Sequence, residues 1–263
     1  LFKFYKMQIE FLQKKPFYIF KIENFLNDEE YQTLEENFPS NENKATISGQ
    51  DEGSKEAFDN RDESYKDLMN KKNIAINILE KKFDEKFCLE LLRKLKKEIF
   101  ISRLVNLTNI SNLKNLYSII RKPKLVTKEI KKNFLQKFLY SHFQRVFEFS
   151  YMHKGAFLLP HTDQKSKLVS LMLYFPSKNL ENANLGTTFY KSKSKNFSNQ
   201  SFNLFKKENN VSLEENFEET LTVPYKKKDL FCFIKSDVSW HAVKKLEIPE
   251  NEVRKSVNVF LKI

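Results

Sequence analysis

Glycine and cysteine are scarce in this chain, with four and two copies in 263 residues. Cys88 and Cys232 lie far apart in apolar settings and form no Cys-x-x-Cys pair, which excludes a disulfide framework and a cysteine zinc site. We predict two buried free thiols of a reducing compartment and a cytoplasmic protein. No run of about 18 apolar residues is present, so we expect no membrane span, and nothing resembles a signal peptide. Because the chain begins at Leu1, preceding residues or a natural start at Met7 stay open.

Acidic residues are too few to balance the basic ones. The chain has 46 Lys+Arg against 34 Asp+Glu and a formal net charge of +12. Such an excess is compatible with an anionic partner such as nucleic acid, an acidic glycan or a membrane surface. No basic amphipathic helix and no basic run interleaved with stacking aromatics accompanies it, so we predict no nucleic-acid partner. Abundant Lys, Asn, Ile and Phe are instead typical of codon bias toward A and T.

The length of the chain and its pattern of apolar residues favour a single domain. In this prediction residues 1–142 form an N-terminal strand and helical support region, and residues 143–263 form the core. The segment 16–22 alternates as a strand does. Asn27 and Glu30 then form a capping-box signature, which predicts a helix that ends near residue 37.

The rest of the support region contains a loop and helices in our prediction. Residues 40–61 are polar and rich in turn formers, as in a mobile loop that reaches the active-site mouth. Over 74–97 apolar residues recur at helical spacing, which predicts one packing helix. Two shorter helices, 111–121 and 128–137, are separated by the helix breaker Pro123.

The C-terminal half alternates apolar and polar residues in short segments, which is typical of strands. We predict that 143–151 is the first core strand and that 191–219 is a long inserted surface loop. The remaining predicted strands are 168–175, 220–224, 229–235, 238–243 and 256–263.

Two histidines and one aspartate form a candidate metal site. His161 and Asp163 lie two apart in an extended stretch, so their side chains point the same way and can close on one ion. His241, on a separate β-prone segment, adds a second imidazole. A lone histidine of this kind is more often a satisfied core or surface residue, so the ordered set carries the prediction. Two histidines and one carboxylate leave three positions open on an octahedral iron, as in non-haem Fe(II) oxygenases.

A basic residue and a hydroxyl follow shortly before the end of the chain. Arg254 is a fixed cation with a fork of donors, and Ser256 lies two residues further on. Together they can hold a carboxylate by a bidentate pair. A metal site combined with such a clamp indicates a keto-acid cosubstrate.

Five short motifs follow one another along residues 151–263: Tyr151-x9-His161-x-Asp163, a Leu-Tyr-Phe strand, Gly-Thr-x-Phe-Tyr, Trp240-His241 and Arg254-x-Ser256. As an ordered set they resemble the core of the 2-oxoglutarate and Fe(II)-dependent oxygenases, in particular their prolyl-4-hydroxylase-like branch. The resemblance implies that His161, Asp163 and His241 bind Fe(II), that Arg254 and Ser256 hold the distal carboxylate of 2-oxoglutarate, and that Tyr151 reaches the cosubstrate. This sequence differs from the collagen-type enzymes, which have Lys at the position of Arg254. It also has one glycine before Thr187 where many relatives have two.

The fold implied by the resemblance is α+β with a mainly β core, a double-stranded β-helix (a jelly roll or cupin-like barrel) with N-terminal and inserted helices packed on it. The implied activity uses O2 and decarboxylates 2-oxoglutarate to succinate while hydroxylating a small-molecule or peptidyl substrate of open identity. Two alternatives remain: a cupin-type metalloenzyme that needs no keto acid, against which Arg254 and Ser256 argue, and a jelly-roll binding module, for carbohydrate or another partner, without catalysis. We expect Trp240 to pack in the core rather than to wall the iron.

Overall fold

Antiparallel strands dominate the fold. The computed structural model describes residues 7–39, 45–47, 55–104, 122–125, 140–181, 183–193 and 213–263. The strands are β1 (Glu10–Gln13), β2 (Ile19–Ile22), β3 (Ala45–Ile47), β4 (Lys55–Asp59), β5 (Lys122–Leu125), β6 (Tyr140–Met152), β7 (Leu158–His161), β8 (Lys167–Phe175), β9 (Thr188–Ser192), β10 (Phe217–Thr222), β11 (Leu230–Ile234), β12 (Trp240–Val243) and β13 (Arg254–Lys262). The helices are α1 (Asp28–Glu36), α2 (Glu63–Asn70), α3 (Ile74–Lys82), α4 (Glu85–Lys94), α5 (Lys96–Leu104) and α6 (Leu213–Asn216).

The strands form two sheets. The large sheet has the order β1-β2-β11-β8-β13-β6-β4-β3, with β5 also paired to β6, and the small sheet has the order β10-β9-β12-β7. Successive strands from β6 to β9 and from β11 to β13 switch between the sheets, which is the jelly-roll arrangement of a double-stranded β-helix. The predicted fold class is therefore confirmed. Among the described strands no ladder joins the two sheets, so they pack face to face without closing into a barrel.

The large sheet separates two apolar cores. Its outer face packs on the helices through the outer core, which includes Leu79 and Leu91 of the helices and Phe149 and Val257 of the sheet. Its inner face meets the small sheet through the inner core, where Phe189 of β9 lies 5.5 Å, ring to ring, from Phe233 of β11. The central strands are covered on both sides, which explains why β8 and β11 are nearly continuous apolar runs.

The N-terminal region joins the same sheet. β2 pairs with β11 along Ile19–Ile22, which confirms the predicted strand. At the start of α1 the Glu30 backbone N–H donates to Asn27 Oδ1 (2.8 Å), and the Asn27 N–H donates to Glu30 Oε2 (3.0 Å). The predicted capping box and helix are confirmed.

Two predictions for the support region are wrong. In the described parts of 40–61, β3 and β4 are strands because β4 pairs with β6 and Phe58 stacks on Phe149 at 5.2 Å. The predicted helix 74–97 is divided among α3, α4 and the start of α5. Its first break is at Asp84, whose side chain accepts from the Phe87 N–H (2.7 Å) and caps α4.

Other predictions fall partly outside the described residues. The predicted helices 111–121 and 128–137 lie there entirely, and Pro123 belongs to β5. Of the predicted loop 191–219, the described ends belong to β9, α6 and β10.

The cysteine prediction is confirmed: Cys88 and Cys232 are buried free thiols. Burial raises the pKa of Cys88 to about 12, which makes it an unreactive packing residue. None of the helices in the described ranges has the length and apolar character needed to cross a membrane.

Candidate metal centre

Two paired strands of the small sheet bring the predicted histidines together. His161 at the end of β7 and His241 in β12 are direct partners in the antiparallel ladder, and their rings lie 4.3 Å apart. Asp163 follows β7 by two residues. One ligand atom from each of the three residues can be chosen so that all lie within 4.8 Å of one another. The structure therefore brings together all three predicted metal ligands.

Backbone carbonyls orient both imidazoles. His161 Nδ1 lies 2.9 Å from the Leu159 carbonyl oxygen, and His241 Nδ1 lies 3.0 Å from that of Ser239. A carbonyl only accepts, so each Nδ1 carries the proton and each Nε2 keeps its lone pair for a metal. Burial is the main cause that lowers the pKa of His161 to about 3, and burial also lowers the pKa of His241. Both rings are thus neutral near pH 7, as metal ligation requires.

Two side chains of β8 fix the Asp163 carboxylate. Ser170 Oγ donates to Asp163 Oδ2 at 2.7 Å, and Lys167 Nζ donates to Oδ1. Burial alone would raise the pKa of Asp163, but the charge of the nearby Lys167 ammonium and the hydrogen bond that it donates offset this, and the net pKa is lowered. The carboxylate is therefore ionised, with Oδ2 4.0 Å from His241 Nε2. Sequence reasoning missed Lys167 and Ser170, whose contacts depend on how the chain turns after β7.

Arg254 lies at the start of β13, on the inner face of the large sheet. It is 3% exposed and its Nε donates to the Leu185 carbonyl oxygen at 2.5 Å. Its guanidinium carbon lies 5.2 Å and 5.6 Å from the ring centres of Tyr174 and Tyr225. Within the described chain no carboxylate forms an ion pair with Arg254. A buried guanidinium without a carboxylate partner is suited to an anionic ligand.

Ser256 shares the face of Arg254. It is 1% exposed and lies directly opposite Ser150 and Tyr174 in the two neighbouring strands. Partners that face each other in an antiparallel ladder project to the same side. Ser256 and Tyr174 thus belong to the wall that carries Arg254.

The structure does not bring Tyr151 to this wall, which contradicts its predicted position. Tyr151 is the ladder partner of Lys255, so strand alternation turns its ring to the outer face, away from Arg254. There its hydroxyl donates to the Pro39 carbonyl oxygen at 2.6 Å, and its ring packs 5.4 Å from that of Phe38.

Tyr174, rather than Tyr151, lies beside Arg254 on the inner face. Its hydroxyl lies 2.8 Å from Thr187 Oγ1, beside Arg254. Tyr174 has the same parity on β8 as Ser170, four residues earlier, so both face the inner side of the sheet; the sequence alone gave no signal for either.

Trp240 and Gly186 serve packing. Trp240 is fully buried with its ring 4.9 Å from that of Phe217, so the expected core role is confirmed. At Gly186 a Cβ atom would lie 1.9 Å from the Val223 carbonyl oxygen. Only glycine fits this close approach, which explains the glycine of the Gly-Thr motif.

Comparisons with known proteins gave structural neighbours only. No family model and no curated protein matches the chain. A prolyl-4-hydroxylase of Pseudomonas putida matches at 10% identity and a TM-score of 0.40, over 93% of this chain and 92% of that one. A Phytophthora capsici prolyl 4-hydroxylase matches at 15% identity and a TM-score of 0.44, over 93% of this chain and 58% of that one. The non-heme alpha ketoglutarate dependent epimerase SnoN of nogalamycin biosynthesis matches at 8% identity and a TM-score of 0.44, over 93% and 78%.

Proposed function

We propose that the chain is an Fe(II)- and 2-oxoglutarate-dependent dioxygenase that hydroxylates a small-molecule or peptidyl substrate. The observation that carries the proposal is the convergence of His161, Asp163 and His241 to within 4.8 Å. The buried Arg254 on the inner face of the adjoining sheet supports it.

The donor set fits Fe(II). Two neutral imidazoles and one ionised carboxylate are the ligands of non-haem iron sites that keep three positions open. The carbonyls of Leu159 and Ser239 hold the rings, and Ser170 and Lys167 hold the carboxylate. Such outer contacts fix ligand orientation before the metal arrives.

The inner wall fits a dicarboxylate cosubstrate. Arg254 offers its guanidinium to the distal carboxylate, and Ser256 and Tyr174 add hydroxyls on the same face. When bound, Fe(II), 2-oxoglutarate and O2 supply the oxidative decarboxylation to succinate and carbon dioxide that drives hydroxylation. The chain positions the reactants and excludes water from the site. The apolar ring of Phe233, for example, lies 4.6 Å from the ring of His241.

One spectroscopic experiment separates this function from its alternatives. Fe(II) and then 2-oxoglutarate are added without oxygen, and the visible spectrum and metal content are recorded. We expect one Fe(II) per chain, a weak charge-transfer band that needs the keto acid, and succinate after oxygen is admitted. Bound iron without the band would indicate a keto-acid-independent metalloenzyme, and no iron binding would indicate a binding module.

Substitutions at Arg254 test the clamp. Arg254→Leu leaves the buried cosubstrate charge unpaired, so half-saturation by 2-oxoglutarate should need a concentration about a hundredfold higher, or more. Arg254→Lys keeps the positive charge but loses the bidentate geometry of the guanidinium. Its half-saturating concentration of 2-oxoglutarate should therefore lie between those of Arg254→Leu and wild type. The matched control is Lys255→Leu, on the same strand but with its ammonium 5.7 Å from the outer-core ring of Phe38. If Arg254→Leu saturates at the wild-type concentration, Arg254 does not hold the keto acid.

A further inference from the structure

Two lysines face each other at the far end of the large sheet. Lys167 at the start of β8 and Lys262 at the end of β13 are direct ladder partners. Like charges directly opposite each other destabilise a sheet. The register between the strands shifts between Leu261 and Lys262. Irregularities of this kind often re-aim a side chain beside an active site.

A third cation, Arg61, acts electrostatically on Lys262. Arg61 follows β4 and pairs with Asp59, to which its Nε donates at 2.8 Å. Burial, followed by repulsion from Arg61 and Lys167, lowers the pKa of Lys262, and attraction by Asp59 and Asp163 offsets this only in part. Lys262 thus lies where the ion pairs Arg61–Asp59 and Lys167–Asp163 act on it, and it adds one further positive charge to them.

The nearby carboxylates are already committed. Asp59 is paired with Arg61, and Asp163 accepts from Lys167 and is a proposed metal ligand. Glu148 forms an ion pair with Lys55. Within the described ranges Lys262 has no ion-pair partner.

The cluster borders the metal centre at the end away from the clamp. Lys167 Nζ donates to Asp163 and lies 3.4 Å from the ring centre of Phe260. Along β13, Lys262 is eight residues beyond Arg254, roughly 26 Å of strand. An anion held there would lie beside the metal without competing for the place of the keto-acid carboxylate.

We propose that Lys262, Arg61 and Lys167 form an anion-binding subsite that takes a carboxylate or phosphate group of the substrate. Its use by the substrate rests on the proposed oxygenase function, whereas anion binding does not. A bound anion relieves the repulsion between the opposed lysines and fixes the distance from the charged group to the carbon at the metal. The subsite thereby selects acidic substrates over their neutral analogues.

Calorimetric titration with inorganic phosphate and with acetate tests the subsite in the full chain loaded with Zn(II) and 2-oxoglutarate. Zn(II) prevents turnover, and any anion bound directly to the metal is the same in every variant. We expect Lys262→Gln to weaken binding by about tenfold, as loss of one charge-assisted contact does. Arg61→Gln should weaken binding less, because the Arg61 side chain is 66% exposed. The anion that binds wild type more tightly identifies the subsite as one for phosphates or for carboxylates.

Lys255→Gln is the matched control and should bind like wild type. Equal affinity of wild type, Lys262→Gln and Arg61→Gln for both anions would overturn the subsite. That outcome would not contradict the proposed oxygenase activity, which the spectroscopic experiment tests separately. Conversely, an anion site that depends on Lys262 in a protein without the keto-acid band would refute the oxygenase function and not the subsite.

Discussion

The two faces of the large sheet differ in chemistry although the same strands build both. On β13, Val257 and Val259 project to the outer core, while Arg254 and Ser256 line the inner wall. On β6, Phe149 projects outward, one residue from the inward Ser150. Because side chains alternate along a strand, a shift of one residue would exchange the two sets. The register that stabilises the outer core is therefore also the register that assembles the site.

The outer face should dominate stability. Phe149 is fully buried, stacked 5.2 Å from Phe58 and 5.3 Å edge-on from Phe38. Phe149→Ala should lower the free energy of unfolding by about 3–5 kcal/mol, because it removes a large ring and leaves a cavity. Urea unfolding measures this effect. Metal affinity of the folded protein should be unchanged, and a loss of metal binding without a loss of stability would break the separation between the faces.

The inner face should dominate metal binding. Asp163→Ala removes the one anionic ligand of the proposed triad, and metal affinity should fall by about a hundredfold or more, since even contacts outside the ligand set are worth 10–100-fold. Calorimetric titration with Co(II) or Fe(II) provides the measurement. Asp67→Ala, at an exposed position of α2, is the control. Equal affinity of Asp163→Ala and wild type would refute the site.

Metal removal should leave the fold intact. The ligands lie on and beside strands that two apolar cores already hold, unlike those of a small domain that depends on its metal to fold. Metal at about one hundred times its dissociation constant should add only about 2.7 kcal/mol of stability. After chelation, circular dichroism should still show a cooperative thermal transition, at a lower temperature. Loss of that transition would show that the metal is structural.

Local patterns predicted those parts of the molecule that neighbouring residues determine. Asn27 and Glu30 form the capping box that their spacing indicates, and His161 and Asp163 point to one site because they lie two apart. The capping signal of Asp84 was equally local and shows where a long apolar pattern divides into helices.

Long-range pairing determined what the sequence could not show. The side to which Tyr151 points relative to Arg254 depends on the register between β6 and β13, 102 residues apart at Met152 and Arg254. β4 is a strand because β6 offers it a partner, although the polar residues around it favour a loop.

A charge pair on the inner face of the large sheet should contribute least, and only above acidic pH. Glu148 is paired with Lys55 and accepts from Asn258 Nδ2 at 2.9 Å. Burial would raise the pKa of Glu148, but Lys55 and then Lys167 offset this, so the net pKa is lowered. A carboxyl whose pKa is lower in the folded than in the unfolded chain stabilises the fold above its unfolded pKa of about 4.3. That stabilisation is lost as the pH falls through the lowered value.

Lys55→Met should therefore cost stability in a pH-dependent way. Without the ammonium, burial dominates, the folded-state pKa of Glu148 rises, and the charged form at pH 7 should destabilise the fold by about 1.5–2 kcal/mol. Near pH 4.5 the carboxyl of the variant takes up a proton, so the loss should be smaller. Urea unfolding at both values gives the comparison, with Lys154→Met as control because its partner Glu250 is 83% exposed. A loss of equal size at both values would mean that Lys55 acts through the packing of its methylene groups, and that the inner wall at this position depends on shape rather than on charge.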